Sequence, residues 1–198
     1  MNGSSYDTHD MIFALATAWG SSALAVIRMS GSGCLTALSQ IFSRPKALLA
    51  SASHTLVHGH IVDSSTAQAV DEVLVSVFRD GRGFTGEESA ELSCHGSSAG
   101  IEIIGRLLKQ VGMRPASPGE FTFRAFMHGR MDLTQAEAVM EIVSAESELA
   151  HSLALGRLEG NLHDRIDRIK HQVLQALSVI EVQLDYAEDE ISGDIDFP

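Results

Sequence analysis

Only two cysteines, Cys34 and Cys94, occur in 198 residues, which argues against a disulfide framework and for a reducing, cytoplasmic setting. No apolar run approaches the roughly 20 residues of a membrane-spanning helix. The N-terminus also lacks the basic-then-apolar pattern of a secretory signal, so no membrane role is expected. Basic residues are scarce, with 14 Lys and Arg against 26 Asp and Glu. The scarcity is uneven: residues 1–133 hold 12 acidic and 10 basic side chains, and residues 134–198 hold 14 and 4. Binding to a phosphate backbone needs clustered Lys and Arg. The second half is therefore not expected to grip nucleic acid itself; a basic partner surface, or solubility alone, suits it better. No Gly-Lys-Ser/Thr stands anywhere, so Gly31-Ser32-Gly33 is not a nucleotide loop and the chain by itself is not a P-loop GTPase. Internal repeats and low-complexity tracts are absent too.

What is present reads as α+β: a mixed sheet with helices, followed by an all-helical segment. Met11–Ala16 and Ala23–Met29 are apolar runs of strand length separated by Trp19-Gly20-Ser21-Ser22. A helix ending near Phe42 is expected after Ser30-Gly31-Ser32-Gly33. His54–Val62, Val70–Phe78 and Ala90–His95 read as strands, Asp80-Gly81-Arg82-Gly83 as a loop, and Ala99–Val111 as a helix with Ile101, Ile104, Leu107 and Leu108 inward. Two helix starts follow in close succession. Ser117-Pro118-Gly119-Glu120 offers a cap hydroxyl, a proline at the first helical position and a glutamate three residues on; Asp132-Leu133-Thr134-Gln135 repeats the pattern. Gly129 stops the first helix, leaving His128, Arg130 and Met131 on a short connector. Beyond it, Leu158, Leu162, Ile166, Ile169, Val173, Leu177, Ile180 and Leu184 form an eleven-residue repeat, the stripe of one long helix or of two broken near Gly156–Gly160. Such a stripe needs partner helices that this chain lacks or a second copy supplies.

Phe84–Gly96 (FTGEESAELSCHG) carries the clearest candidate chemistry. Strand alternation puts Ala90, Leu92 and Cys94 on one face and Glu91, Ser93 and His95 on the other. A strand-held glutamate can accept two parallel N–H bonds from a planar N–C–N group, whether a guanidinium or the amino-pyrimidine edge of a pterin or guanine. Spacing alone favours the plainer reading, a solvated surface glutamate. Arg28 ends a buried strand, where charges often face a ligand crevice or simply an edge. Arg124 lies four residues after Glu120, the spacing of an ordinary helical ion pair, whereas Arg130 has no local acidic partner. His54, His58 and His60 share strand parity, yet no cysteine or carboxylate nearby in sequence completes a zinc site. Cys94-His95 suggests a thiol nucleophile, against which stands the usual reading of an inward cysteine as a buried, inert thiol.

Four segments taken together resemble the N-terminal part of the MnmE/TrmE family of bacterial tRNA-modification GTPases. They are Asp10–Gly31 (DMIFALATAWGSSALAVIRMSG), Phe84–Gly96, Pro118–Ala138 (PGEFTFRAFMHGRMDLTQAEA) and Leu184–Ile191 (LDYAEDEI), in the family's order across nearly the whole chain. The resemblance implies a tetrahydrofolate-binding and dimerising domain over residues 1–130. Residues 131–198 would then be the first helices of a helical domain, truncated before the G domain. It further implies a 5-formyl- or 5,10-methylene-tetrahydrofolate one-carbon donor, with contacts at Arg28, Glu91 and Arg130, the last often lysine in the family. The product would be a carboxymethylaminomethyl modification of the tRNA wobble uridine, made as a homodimer with the MnmG/GidA flavoprotein. tRNA would be engaged through the full complex. GTP, potassium and magnesium would belong to the absent G domain, so this chain alone is not expected to hydrolyse GTP. The sequence departs from the family at Ala18-Trp19 and at Tyr186-Ala187, where relatives usually carry proline and Phe-Pro. The rival reading is a ligand-free scaffold whose acidic helical half docks a partner.

Overall fold

The computed structural model of the chain describes residues 10–79 and 81–185, without the side chains of residues 161–165 and 183–185. It divides into two compact units, residues 1–131 and 132–198. Asp80, the Leu162 and Leu184 side chains and most of the Leu184–Ile191 motif lie outside the described residues.

The first unit is a six-stranded sheet with helices, the expected α+β architecture. Its strands are β1 (Ile12–Leu15), β2 (Ser22–Ser30), β3 (Thr55–Asp63), β4 (Gln68–Phe78), β5 (Ser89–Gly96) and β6 (Arg114–Pro115). They lie side by side in the order β3-β4-β5-β2-β1-β6, antiparallel throughout except for the β1–β6 pair. Period-two alternation is the cause of the packing. Val57 and Ile61, Val73, Val75 and Val77, Ala90, Leu92 and Cys94, and Ala25, Ile27 and Met29 are all buried in one core. Helices α1 (Cys34–Ser39), α2 (Pro45–Ala50) and α3 (Ser98–Gln110) contribute Leu35, Leu38, Leu48, Ile101, Ile104, Leu107 and Leu108 to that core. The alternate residues, among them Leu24, Leu56, His58 and Leu74, are exposed. Arg28 and Glu91 share that alternate parity and are partly buried.

The structure corrects several sequence expectations. Helix α1 ends at Ser39, and Phe42 bridges to Ile61 of β3 instead of extending the helix. Helix α2 and the two-residue β6 were unforeseen. Helix α4 (Glu120–Met127) is not capped by Ser117, because Gly119 holds the cap position at φ +76° with no side-chain cap bond. The Glu120 carboxylate instead reaches back to the Ser117 N–H at 2.8 Å, so half of the expected reciprocal cap survives. The second capping box forms in full, with Asp132 accepting from the Gln135 N–H and Gln135 accepting from the Asp132 N–H. Gly129, at φ +67°, ends α4 as expected.

In the second unit α5 (Leu133–Ser144) is followed by α6 (Glu148–Leu158) and α7 (Asn161–Asp185), broken at Glu159-Gly160. The stripe residues Ile166, Ile169, Val173, Leu177 and Ile180 are exposed on α7. No described helix is long and apolar enough to cross a membrane.

Candidate functional site

Arg28 and Glu91 come together because they are direct cross-strand partners on β2 and β5. Arg28 Nε donates to Glu91 Oε1 at 2.9 Å and Nη2 lies 2.8 Å from the same oxygen. Both contacts fall on Oε1, which leaves Oε2 without a hydrogen bond among the described residues. The guanidinium also lies over two rings, 4.9 Å from the centroid of Phe84 and 5.9 Å from that of Phe121. Cation–π contacts at partly exposed sites contribute about 0.5–1 kcal/mol each. The ion pair, with both side chains about one-third exposed, adds at most about 1 kcal/mol. Arg28, Ser30, Phe84, Thr85, Ser89 and Glu91 are among the residues lining a cavity of about 150 Å³. A cavity of that size takes one ring system and leaves the rest of a larger ligand on the surface.

The loop between β4 and β5 builds one wall of this cavity and is anchored by an ionic cluster with Arg124 and Glu120 buried at its centre. Ser30 donates to Glu87 Oε2 at 2.7 Å and lies 2.6 Å from the Thr85 hydroxyl. Glu87 faces Arg124, whose side chain is fully buried. Arg124 Nη1 donates to the Asp10 carbonyl at 2.8 Å, and Nη2 to Glu120 Oε1 at 3.1 Å and to the Asp10 carboxylate. Arg114 completes the cluster, donating to both Glu120 oxygens at 2.6 and 2.8 Å and to Asp10. The helical spacing of Glu120 and Arg124 was legible in sequence. Asp10, Glu87 and Arg114, more distant along the chain, were missed.

Burial alone would raise the Glu120 pKa, but the hydrogen bonds from Arg114, from the Ser117 N–H and from Arg124 outweigh it and hold the carboxyl at about 2 against an ordinary 4.5. Because the folded-state value is depressed, the stabilisation is fully present above pH 4.5 and is lost as pH falls towards 2. Urea unfolding across that window is expected to show a loss that Glu120→Gln reduces by an amount on the order of 2 kcal/mol, the remainder coming from Asp10 and other depressed carboxylates. An equally steep loss in the variant would refute the assignment.

Arg130 is exposed on the α4–α5 connector, and no ion pair is recorded for it among the described residues. Its stem packs on the loop, since a Cβ at Gly86 would lie 3.0 Å from Arg130 Cγ. His128, which sequence placed on the connector without a role, donates from Nδ1 to the Thr85 carbonyl at 2.9 Å. Loop 84–88 thus touches Arg28 through Phe84 and carries Arg130 on Gly86.

The other candidates resolve differently. Cys94 is buried, and burial pushes its thiol up to about 11, an inert state at neutral pH. Cys34 is raised further by burial and by Glu88 and Glu87. His54 does not share the parity of His58 and His60, because it precedes β3 at a positive φ of 61°. Carboxylates of β4 reach two strand histidines: His58 pairs with Glu72 and His95 with Asp71, each at 2.6 Å. No group of three or more metal-ligating side chains is arranged around an ion site among the described residues.

Two families match this chain: "GTP-binding protein TrmE N-terminus" over residues 11–130 and "MnmE helical domain" over residues 133–196. Among similar curated proteins are those called tRNA modification GTPase MnmE from Borrelia turicatae (47% identical over 193 residues, 97% of this chain and 41% of the relative) and Treponema denticola (44% over 185 residues, 93% and 39%). The Bacillus cytotoxicus protein of the same name is 42% identical over 179 residues, 90% of this chain and 39% of its own length. The chain therefore spans about two fifths of the length of these relatives.

Proposed function

Because this chain belongs to the MnmE/TrmE family, we propose that it is the folate-binding and dimerising part of a tRNA-modification GTPase, with the beginning of its helical domain. The observation that carries the reading is the in-register pair Arg28–Glu91, which lines a ring-sized cavity with one carboxylate oxygen still available. That donor set fits the ligand: Glu91 would accept from the N–H edge of a pterin, and Arg28 and Arg130 would oppose the anionic glutamate tail. A bound 5-formyl- or 5,10-methylene-tetrahydrofolate would supply a one-carbon unit for carboxymethylaminomethyl modification of the wobble uridine; the protein's part is position and charge. Residues 1–130 would hold the folate and the homodimer contact, and residues 131–198 would open the helical domain. GTP, potassium and magnesium would act in a G domain, a flavoprotein of the MnmG/GidA type would be the partner, and tRNA would be held by the whole complex.

The deciding experiment is isothermal titration of the chain with 5-formyl-tetrahydrofolate. Binding is expected. Arg130→Lys is expected to lose no more than about threefold and Arg130→Ala about tenfold, since charge is kept in the first and removed in the second. No binding by the unmodified chain would end the folate reading. It would leave the scaffold reading, which the exposed apolar stripe of α7 favours and which a pull-down independent of residues 1–133 would test.

A further inference from the structure

The segment Thr85-Gly86 touches both parts of the candidate site. Thr85 lines the cavity beside Arg28 and Glu91, and its carbonyl accepts from His128 Nδ1 at 2.9 Å. Gly86, at φ +78°, comes so close to the connector that a Cβ there would lie 2.9 Å from His128 Cβ and 3.0 Å from Arg130 Cγ. Such an approach requires glycine both for its backbone conformation and for its missing side chain. The connector is tied to α4 by backbone bonds, His128 N–H to the Arg124 carbonyl and Arg130 N–H to the Ala125 carbonyl, each at 2.9 Å. The His128 ring is the hydrogen bond that ties it across to the loop. A carbonyl can only accept, so Nδ1 must carry the proton, and this fixes the ring's tautomer when neutral.

We propose that His128 is a positioning residue of the tetrahydrofolate site: its bond to Thr85 sets where Arg130 stands relative to the Arg28–Glu91 cavity. The inference rests on the folate reading above. Arg130 makes no ion pair among the described residues, so its placement comes from the connector's backbone and from packing on Gly86. Without the His128 bond, the contact that would hold the connector to the loop among the described residues is that packing.

The test uses titration of the chain with 5-formyl-tetrahydrofolate, with circular dichroism to confirm that each variant is folded. His128→Ala is expected to weaken binding about tenfold. His128→Asn puts an amide donor where Nδ1 stood and should recover affinity to within about threefold; His128→Gln, whose amide sits nearer Nε2, should not. Gly86→Ala, pressing on the connector from the loop side, should reproduce the loss. In the His128→Ala background, Arg130→Ala should cost far less than it does alone, because the two changes disable one device. Unchanged affinity in His128→Ala, additive losses with Arg130→Ala, or recovery by Gln in place of Asn would each overturn the proposal. Absence of binding by the unmodified chain would instead remove the folate reading, and this inference with it.

Discussion

Arg124→Met is expected to lower the unfolding free energy of residues 10–131 by about 3–5 kcal/mol, the cost of removing one partner from a buried ionic cluster. The argument is one of stranded charge. Arg124 is fully buried, and so is the Glu120 carboxylate that accepts from it at 3.1 Å; the Glu87 side chain facing Arg124 is nearly so. Methionine fills much of the same volume, so the loss would not come from a cavity. It would come from the Glu120 carboxylate left out of water with Arg114, itself partly exposed, as its remaining cation among the described residues. Arg124→Lys keeps a charge but cannot serve the Asp10 carbonyl, Asp10 and Glu120 from one planar fork, and should fall between the two. Urea denaturation followed by circular dichroism measures the effect, and a loss below about 1 kcal/mol, the scale of a surface pair, would show that the cluster is not what holds the loop.

Glu91→Ala should have the opposite profile, a small effect on stability and a large one on binding. The pair it breaks is one-third exposed, so unfolding is expected to change by less than about 1 kcal/mol. Folate affinity should fall about a hundredfold, because a ring N–H edge inside the cavity would lose a charged acceptor and go unpaired. Glu91→Gln, which keeps one acceptor oxygen, should lose less. Equal affinities for the Ala variant and the unmodified chain would withdraw Glu91 from the site while leaving the family assignment untouched.

The parts of this fold legible in the sequence are those governed by local periodicity. Ala90, Leu92 and Cys94 face inward on β5 because strand alternation leaves no other choice, and the same rule put Glu91 on the opposite face. Ile101, Ile104, Leu107 and Leu108 follow the helical repeat in α3, and Asp132 with Gln135 forms a box that needs only its own four residues. What stayed hidden depends on partners far along the chain. The direct pairing of Arg28 with Glu91 is a matter of strand register across 63 residues. Asp10, ahead of an apolar strand, gave no sign that Arg114 and Arg124 would converge on it. Ser117 is not the cap because Gly119 takes that position at a positive φ, and the Glu120 N–H bonds the Ser117 carbonyl in place of its hydroxyl. For His128 the only signal was its place on a short connector between two helix starts, and the contact to Thr85 appears only once loop 84–88 is folded over it.

The parallel pairing of β6 with β1 has a consequence for how the chain assembles. Ile12 and Phe13 wait for Arg114 and Pro115, and Asp10 waits for partners 104 and 114 residues later. As the chain leaves the ribosome, the antiparallel hairpin of β3 and β4 can form from neighbouring residues, while one edge of β1 stays open until β6 has emerged. Pairing across so long a loop is slow, so this edge of the sheet closes late, and β6, which closes it, leads through α4 into the connector with His128 and Arg130. The last strand of the sheet and the connector of the candidate site thus lie on one short stretch of chain.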